Sequence, residues 1–259
     1  MRLTFLGTGT SNGVPVIGCK CKVCQSKDPH DHRLRSSVMI DTETTRVVID
    51  SGPDFREQMM HQEFKRIDAL LVTHAHYDHV GGMDDVRPLC KLGYINVYGD
   101  YLCCKGLQQM LPYCFADTLY PGVPKINLHE IAPHKQLIVG DINILPFRVM
   151  HDKLPILGFR IGNLAYVTDM KTIDDYELSF LKGVKTLVVN ALRFEPLHHS
   201  HLCVDEALAF ARRIGAQITY FTHICHDMGL HADVCEVLPE GITLAYDNLE
   251  IEIYIHDKQ

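Results

Sequence analysis

Thr73-His74-Ala75-His76-Tyr77-Asp78-His79-Val80-Gly81-Gly82 follows directly on the apolar run Ala69-Leu70-Leu71-Val72. In an extended chain, residues two apart project to the same side, so His74 and His76 can grip one ion together. Asp78 and His79 come after the chain turns, placed to face a second ion nearby. Gly81-Gly82 then allow the backbone to turn tightly beside the cluster. Imidazole and carboxylate donors suit Zn²⁺, Mn²⁺ or Fe²⁺ without choosing sharply among them. A chance solvent-facing histidine loop would carry neither an Asp at this offset nor a buried strand ahead of it.

The same arrangement echoes further along. Phe147-Arg148-Val149-Met150-His151, Tyr166-Val167-Thr168-Asp169 and Tyr220-Phe221-Thr222-His223 are also apolar runs ending in a residue able to bind metal. A strand is a rigid pillar, and groups carried where the chain leaves it for a loop are how α/β enzymes usually build sites. Short β-branched runs predict strands over 2–6, 37–41, 46–50, 69–73, 95–98, 142–150, 164–168, 186–189, 218–222, 242–245 and 250–255. Helices are predicted to begin near Pro53-Asp54, Met83-Asp84, Asp100, Ile173 and Val204-Asp205, the last running through Arg213 to a stop at Gly215. No Gly/Ser- or Pro-rich linker divides the chain, so one α/β domain over residues 1–259 is the economical expectation.

Composition narrows the class. Hydrophobic content of 46% and charged content of 22% argue against disorder, a fibrous repeat or a coiled coil. No apolar run approaches the roughly 18 residues a membrane helix needs, and the apolar start at Met1 is too short for a signal peptide. The expectation is a cytoplasmic protein without a membrane partner. With 25 basic against 32 acidic residues, the formal net charge of −7 disfavours a large footprint on nucleic acid. The 16 His and 10 Cys then read first as metal sites rather than a disulfide framework. Gly18-Cys19-Lys20-Cys21-Lys22-Val23-Cys24 packs three thiols into six residues, and three thiolates need one more ligand to close a tetrahedral structural Zn²⁺ site.

His-x-His-x-Asp-His after an apolar strand resembles the signature of the metallo-β-lactamase superfamily, and Asp50-Ser51-Gly52, His151, Asp169 and His223 follow in the expected order. The resemblance implies an αββα sandwich with a two-metal site at the edge between its sheets. It implies that His74, His76 and His151 hold one divalent ion, Zn or Mn, and that Asp78, His79 and His223 hold the other, with Asp169 bridging. Asp50 would orient a ligating His, or serve only as a strand-end turn residue. Cys-x-Cys-x-x-Cys near the N-terminus, after Gly7-Thr8-Gly9-Thr10-Ser11-Asn12-Gly13, resembles one branch: phosphodiesterases associated with carbon–phosphorus lyase operons, which hydrolyse cyclic phosphate esters of ribose. That branch implies a structural zinc loop over 18–25, closed by a His three residues after the last catalytic His. Here that residue is His226, with Cys225 the nearest competitor. The branch also implies that His201, in His198-His199-Ser200-His201, is catalytic without ligating, with His198 in support. His30, His32, His61, His129, His134 and His256 show no partner pattern and are expected at the surface.

The function this implies is a dinuclear-metal hydrolase, most simply a phosphodiesterase in which a metal-bridging hydroxide attacks a small, cyclic phosphate ester. Asp78 would orient the nucleophile and His201 would stabilise or protonate the leaving oxygen. Arg33, Arg35, Lys153 and Arg160 are candidates to contact the substrate phosphate. The loop over 8–13 either lends backbone N–H groups or is a turn. Two other readings stay open: an RNA 3′-processing nuclease of the same superfamily, and a non-catalytic carrier or cofactor-pathway protein on this scaffold. The expected partner is a small phosphorylated molecule rather than nucleic acid, and a homodimer is left open.

Overall fold

The computed structural model describes residues 1–253. Its strands are apolar on both faces: in Val47-Val48-Ile49, Val47 and Ile49 enter one core while Val48 enters another. A strand of that kind has to be covered on both sides, and the molecule meets the demand with four layers. The first sheet contains β1 (Arg2–Gly7), β2 (Ser37–Asp41), β3 (Arg46–Ile49), β4 (Ala69–Leu71), β5 (Ile95–Gly99), β6 (Ile126–Glu130) and β14 (Glu250–Glu252), in the order β14-β1-β2-β3-β4-β5-β6. The second contains β7 (Leu137–Val139), β8 (Ile142–His151), β9 (Leu154–Ile161), β10 (Leu164–Val167), β11 (Thr186–Asn190), β12 (Ile218–Thr222) and β13 (Ile242–Leu244), in the order β13-β12-β11-β10-β9-β8-β7.

Between the sheets, Phe5, Ile40, Ile49 and Leu71 meet Leu157, Phe159, Tyr166 and Val188. Truncating a fully buried phenylalanine such as Phe159 to Ala would cost roughly 3–5 kcal/mol. Outside the first sheet lie α1 (Phe55–Met60), α2 (Tyr77–Val80), a 3₁₀ segment Met83–Leu92 and α3 (Tyr101–Met110), through Phe55, Val80, Val86 and Leu107. Outside the second lie α4 (Asp175–Ser179), α5 (Val204–Ile214) and α6 (His231–Val237), through Leu178, Ala207, Phe210 and Val234. In α5 the buried Val204, Ala207, Phe210 and Ala211 recur at helical spacing, the Cys203 N–H donates to Glu206 Oε2, and Gly215 ends the helix at φ 70°. This is the expected αββα sandwich in a single domain.

The structure differs from the sequence expectation in particular places. β6, β7 and β9 were not anticipated; β9 carries Pro155 and Gly158, residues that argue against a strand, inside an otherwise apolar run. The helix expected near Met83 is 3₁₀ with Pro88 inside, and the one expected near Ile173 is α4, which starts at Asp175 behind an Asp174 cap. β3 and β4 stop one and two residues earlier than expected, because the chain peels away to build the site. Of the strand expected over 250–255, positions 254 and 255 lie outside the described residues, as does His256.

Candidate metal centres

The parallel strands bring their C-terminal ends to one rim. Asp50 follows β3, His74 follows β4 by way of Val72 and Thr73, Asp169 follows β10, and His223 follows β12, while His151 ends β8. Three of these leave their strands in the left-handed conformation: Asp50 at φ 65°, Asp169 at φ 58° and His223 at φ 56°. Such backbone persists in non-glycine residues only where the surroundings over-determine it, and it clusters at functional sites. The turn 76–82 is pressed onto the Asp50–Gly52 segment. Ser51 N–H donates to the His79 carbonyl, Gly82 N–H donates to the Ser51 carbonyl, and a Cβ on Gly82 would lie 2.1 Å from the Gly52 carbonyl oxygen. Gly82 is therefore required for close approach rather than for a positive φ.

Two donor groups result. The ring nitrogens of His74, His76 and His151 converge within 4.8 Å of one another, as do the donor atoms of Asp78, His79, Asp169 and His223. Asp169 faces both groups. Its Oδ1 lies 3.3 Å from His79 Nε2 and 3.2 Å from His223 Nε2, and its Oδ2 lies 3.8 Å from His74 Nε2. Asp78 Oδ2 completes the second group, 3.3 Å from His79 Nε2 and 3.5 Å from His223 Nε2. His76 is exposed and forms the mouth of the site.

The far nitrogens are anchored. His79 Nδ1 donates to Asp50 Oδ2 at 2.7 Å, His74 Nδ1 to Thr73 Oγ1 at 3.0 Å, and His151 Nδ1 to the Ser200 carbonyl at 2.9 Å. Thr73 Oγ1 donates in turn to Asp50 Oδ2, and Thr73 N–H to Asp50 Oδ1, both at 2.8 Å. Each anchored ring is thereby fixed in orientation, the arrangement that orients metal-binding histidines. Asp50 sits where the resemblance expected an orienting carboxylate.

The electrostatics call for positive charge between these groups. Burial alone would raise the Asp169 carboxyl, but His223 and His79 hold it well below the carboxylate range. Burial alone would lower the His79 imidazole, but Asp169, Asp50 and Asp78 hold it well above its ordinary value. His79 Nε2 and both ring nitrogens of His223 are buried without a hydrogen-bond partner. A proton on His79 answers the carboxylates in part; divalent cations answer the carboxylates and the orphaned nitrogens together, so the residues present fit the metals the fold implies.

His201 stands against both groups. Its Nε2 lies 3.2 Å from Asp169 Oδ2, and its ring stacks on His223 at 4.8 Å and meets His151 edge-on. On the other side, Nδ1 lies 3.1 Å from both Ser200 Oγ and His198 Nδ1. Burial pushes the His201 imidazole down to about 4, against the pull of Asp169. His151, Asp169 and His201 also converge within 4.8 Å of one another.

The second centre is a loop. Sγ of Cys19, Cys21 and Cys24 and Nδ1 of His226 all lie within 4.8 Å of one another, with His226 Nδ1 at 3.4 Å from both Cys19 and Cys21. Cys225, one residue away, is buried outside this group. Backbone N–H groups point at the sulfurs: Val16 at Cys24, Cys21 at Cys19, and Cys24 at Cys21. The Cys24 N–H and then His226 lower the Cys21 thiol to about 6, while burial raises Cys24 to about 11.

Most of the candidate phosphate contacts are engaged elsewhere. Arg33 is buried and donates to Thr8 Oγ1 and the Ala245 carbonyl, Arg35 pairs with Asp54, and Arg160 donates to the Gly162 and Phe180 carbonyls. Lys153, in the turn after His151, keeps an exposed ammonium. In the 8–13 loop, the N–H groups of Gly9, Thr10 and Gly13 donate to the Leu34, Ile224 and Thr10 carbonyls, which makes it a structural turn. His30 and His134, expected at the surface, are half-buried: His30 stacks on His231, and His134 lies against Phe180 with its Nε2 on Glu177. Neither partner is near in sequence. The Ser200 carbonyl that anchors His151 had no sequence signal, since any residue supplies one.

Residues 45–224 match the model of a family described as the beta-lactamase superfamily domain. An octanoyltransferase of Porphyromonas gingivalis is 41% identical over 251 residues, which is 96% of this chain and 51% of that protein. A ribonuclease Z of Methanopyrus kandleri is 26% identical over 164 residues, 61% of this chain and 49% of that one. The chain thus spans about half the length of these curated relatives. A crystal structure described as a new diphosphatase from the PhnP family superposes with a TM-score of 0.90 at 39% identity, covering 98% of both chains. Zn(2+)-bound PqqB from Methylobacterium extorquens shares the fold, with a TM-score of 0.81 at 18% identity over 98% of this chain and all of that one.

Proposed function

The chain belongs to the metallo-β-lactamase superfamily, and within it to the PhnP family, and from that premise we propose that it hydrolyses small phosphate esters at the imidazole–carboxylate centre. The observation that carries the reading is Asp169, whose two carboxylate oxygens face two separate sets of donor atoms. Two divalent cations, Zn or Mn, would be held by His74, His76 and His151 on one side and by Asp78, His79 and His223 on the other. When bound they supply Lewis acidity toward the phosphate oxygens and acidify the attacking water.

The chain's own groups do the rest. Asp78, a member of the second donor group two residues from the exposed His76, also orients the attacking water by accepting its hydrogen bond. With Ser200 Oγ donating to Nδ1, His201 carries its proton on Nε2, the nitrogen turned toward the cluster. From there the neutral ring donates a hydrogen bond that stabilises the charge developing on the oxygen that leaves phosphorus. The Asp50–Thr73 pair fixes His79 and His74 so that neither ring turns during the reaction.

A phosphodiester or a diphosphate fits this reading, and likeness to a PhnP-family diphosphatase supports it. Likeness to ribonuclease Z favours a second reading, cleavage of an RNA 3′ end; the net charge of −7 weighs against it, and a gel shift with precursor tRNA would revive it. The octanoyltransferase is about twice as long as the matched region, so acyl transfer is not part of the proposal. The thiol loop with His226 we assign to a structural zinc. Ten unpaired cysteines fit a cytoplasmic location, and no helix among the described residues is long and apolar enough to cross a membrane.

Purified protein loaded with Mn²⁺ or Zn²⁺ is expected to hydrolyse bis(p-nitrophenyl) phosphate, 2′,3′-cyclic nucleotides or a diphosphate ester, and to lose that activity to strong chelators. Failure on every one of these substrates would favour a carrier or cofactor-pathway role on the same scaffold. Activity indifferent to chelators would end the metal reading.

A further inference from the structure

β10 ends at Val167, and its parallel ladder with β11 ends there too, at the Val167–Val189 pair. Two residues on, Asp169 turns left-handed, so the backbone of Met170 no longer meets the backbone of β11. Asn190, the last residue of β11 and fully buried, takes over the pairing with its side chain. Its Oδ1 accepts from the Met170 N–H at 2.8 Å, and its Nδ2 donates to the Met170 carbonyl at 3.0 Å. The amide orientation is fixed by these partners, since an N–H only donates and a carbonyl only accepts. The Met170 carbonyl accepts a second bond, from the Leu202 N–H at 3.0 Å. Met170 adjoins Asp169 and Leu202 adjoins His201, so one side-chain amide sits where the segments carrying these two groups are joined.

We propose that Asn190 is a positioning residue: by pairing with the backbone of Met170 it holds Asp169 turned between the two donor groups and keeps His201 Nε2 against Asp169 Oδ2. The proposal rests on the metal-hydrolase reading above. Val188, Val189 and Ala191 around Asn190 are buried and apolar, so packing alone does not call for an amide there. A left-handed aspartate needs its neighbours pinned, and a paired donor and acceptor on one side chain pins Met170 at both of its polar groups.

The test compares wild type, Asn190→Leu and Asn190→Asp as full-length chains. Leucine keeps the bulk and removes both bonds; aspartate keeps the acceptor for the Met170 N–H. Mn²⁺ is titrated into chelator-treated protein and followed by electron paramagnetic resonance. Circular dichroism melts and the zinc content of the thiol loop report on the fold. The expected result is a Mn²⁺ affinity about 10–100-fold weaker in Asn190→Leu, the range for groups that orient metal ligands, with Asn190→Asp between it and wild type. Melting temperature and thiol-loop zinc should stay close to wild type throughout. Wild-type Mn²⁺ affinity in Asn190→Leu overturns the proposal, as does equal weakening of both variants in step with their melting temperatures. Should Asn190→Leu not fold, Asn190→Asp decides alone: a folded variant with weaker Mn²⁺ binding supports the proposal, and one with unchanged binding overturns it. A wild-type chain that takes up no Mn²⁺ overturns the functional reading itself, which keeps the two failures distinguishable.

Discussion

His223 and His226 leave β12 three residues apart, one entering the imidazole–carboxylate cluster and the other closing the thiol loop. The first centre gathers its donors from strand ends in both sheets, with His79, Asp169 and His223 at most 2% exposed. The second takes three of its four donors from a single half-buried loop. A cluster fixed by two packed sheets keeps its geometry whether or not it is loaded, because its supports are the core itself. A loop with little core of its own depends far more on whatever ties its donors together. On the proposed reading the first centre does the chemistry and the second contributes local folding energy, and each half of that reading can be broken separately.

The largest expected effect is Asp78→Ala. Turnover of bis(p-nitrophenyl) phosphate should fall to background while circular dichroism and thiol-loop zinc stay unchanged; activity near wild type would remove Asp78 from the mechanism. Next comes His201→Ala, expected to lower kcat by about 10²–10³-fold with the cation stoichiometry intact. Metal analysis decides that case, because loss of a cation would make His201 a ligand. Asp50→Asn should weaken activity or Mn²⁺ affinity about 10–100-fold by loosening the anchor on His79, and an unchanged titration would reduce Asp50 to a turn residue. The smallest effect on rate belongs to Cys21→Ser. Zinc content should drop by one ion and the melting temperature by roughly 5–10 °C, as expected for a loss of about 2–3 kcal/mol in a chain of this size, with kcat close to wild type. No change in bound metal would mean the thiols are free, and a collapse of kcat would mean the two centres are not separable.

What the sequence made legible follows from the range of the forces involved. The turn 73–82 carries four donors within one local stretch, and short continuous apolar runs marked β3, β4, β10 and β12, so the pillars and their tips could be read directly. β9 escaped because Pro155 and Gly158 interrupt its pattern, and only pairing with β8 on one side and β10 on the other explains why that segment is extended. Cys225 and His226 were equivalent by spacing. The fold separates them by burying Cys225 with its N–H on the Leu192 carbonyl, which leaves His226 facing the loop. His134 looked like a surface residue because its partner, Glu177, comes 43 residues later, after four intervening strands. Asn190 fell just outside the strand expected over 186–189, since a side chain that bonds only to a distant backbone leaves no pattern of its own.

The left-handed backbone at Asp50, Asp169 and His223 has a consequence for how this molecule tolerates change. Each of these residues adopts a backbone conformation that glycine accepts more readily, with strain of order 1–3 kcal/mol per position. At Asp50 the bonds from Thr73 and His79 offset that strain, but at Asp169 and His223 selection for heat resistance alone would favour glycine, and each such step would discard a carboxylate or an imidazole from the centre. Thermostability and turnover pull in opposite directions at these positions, so durable variants are better sought in the outer helical layers.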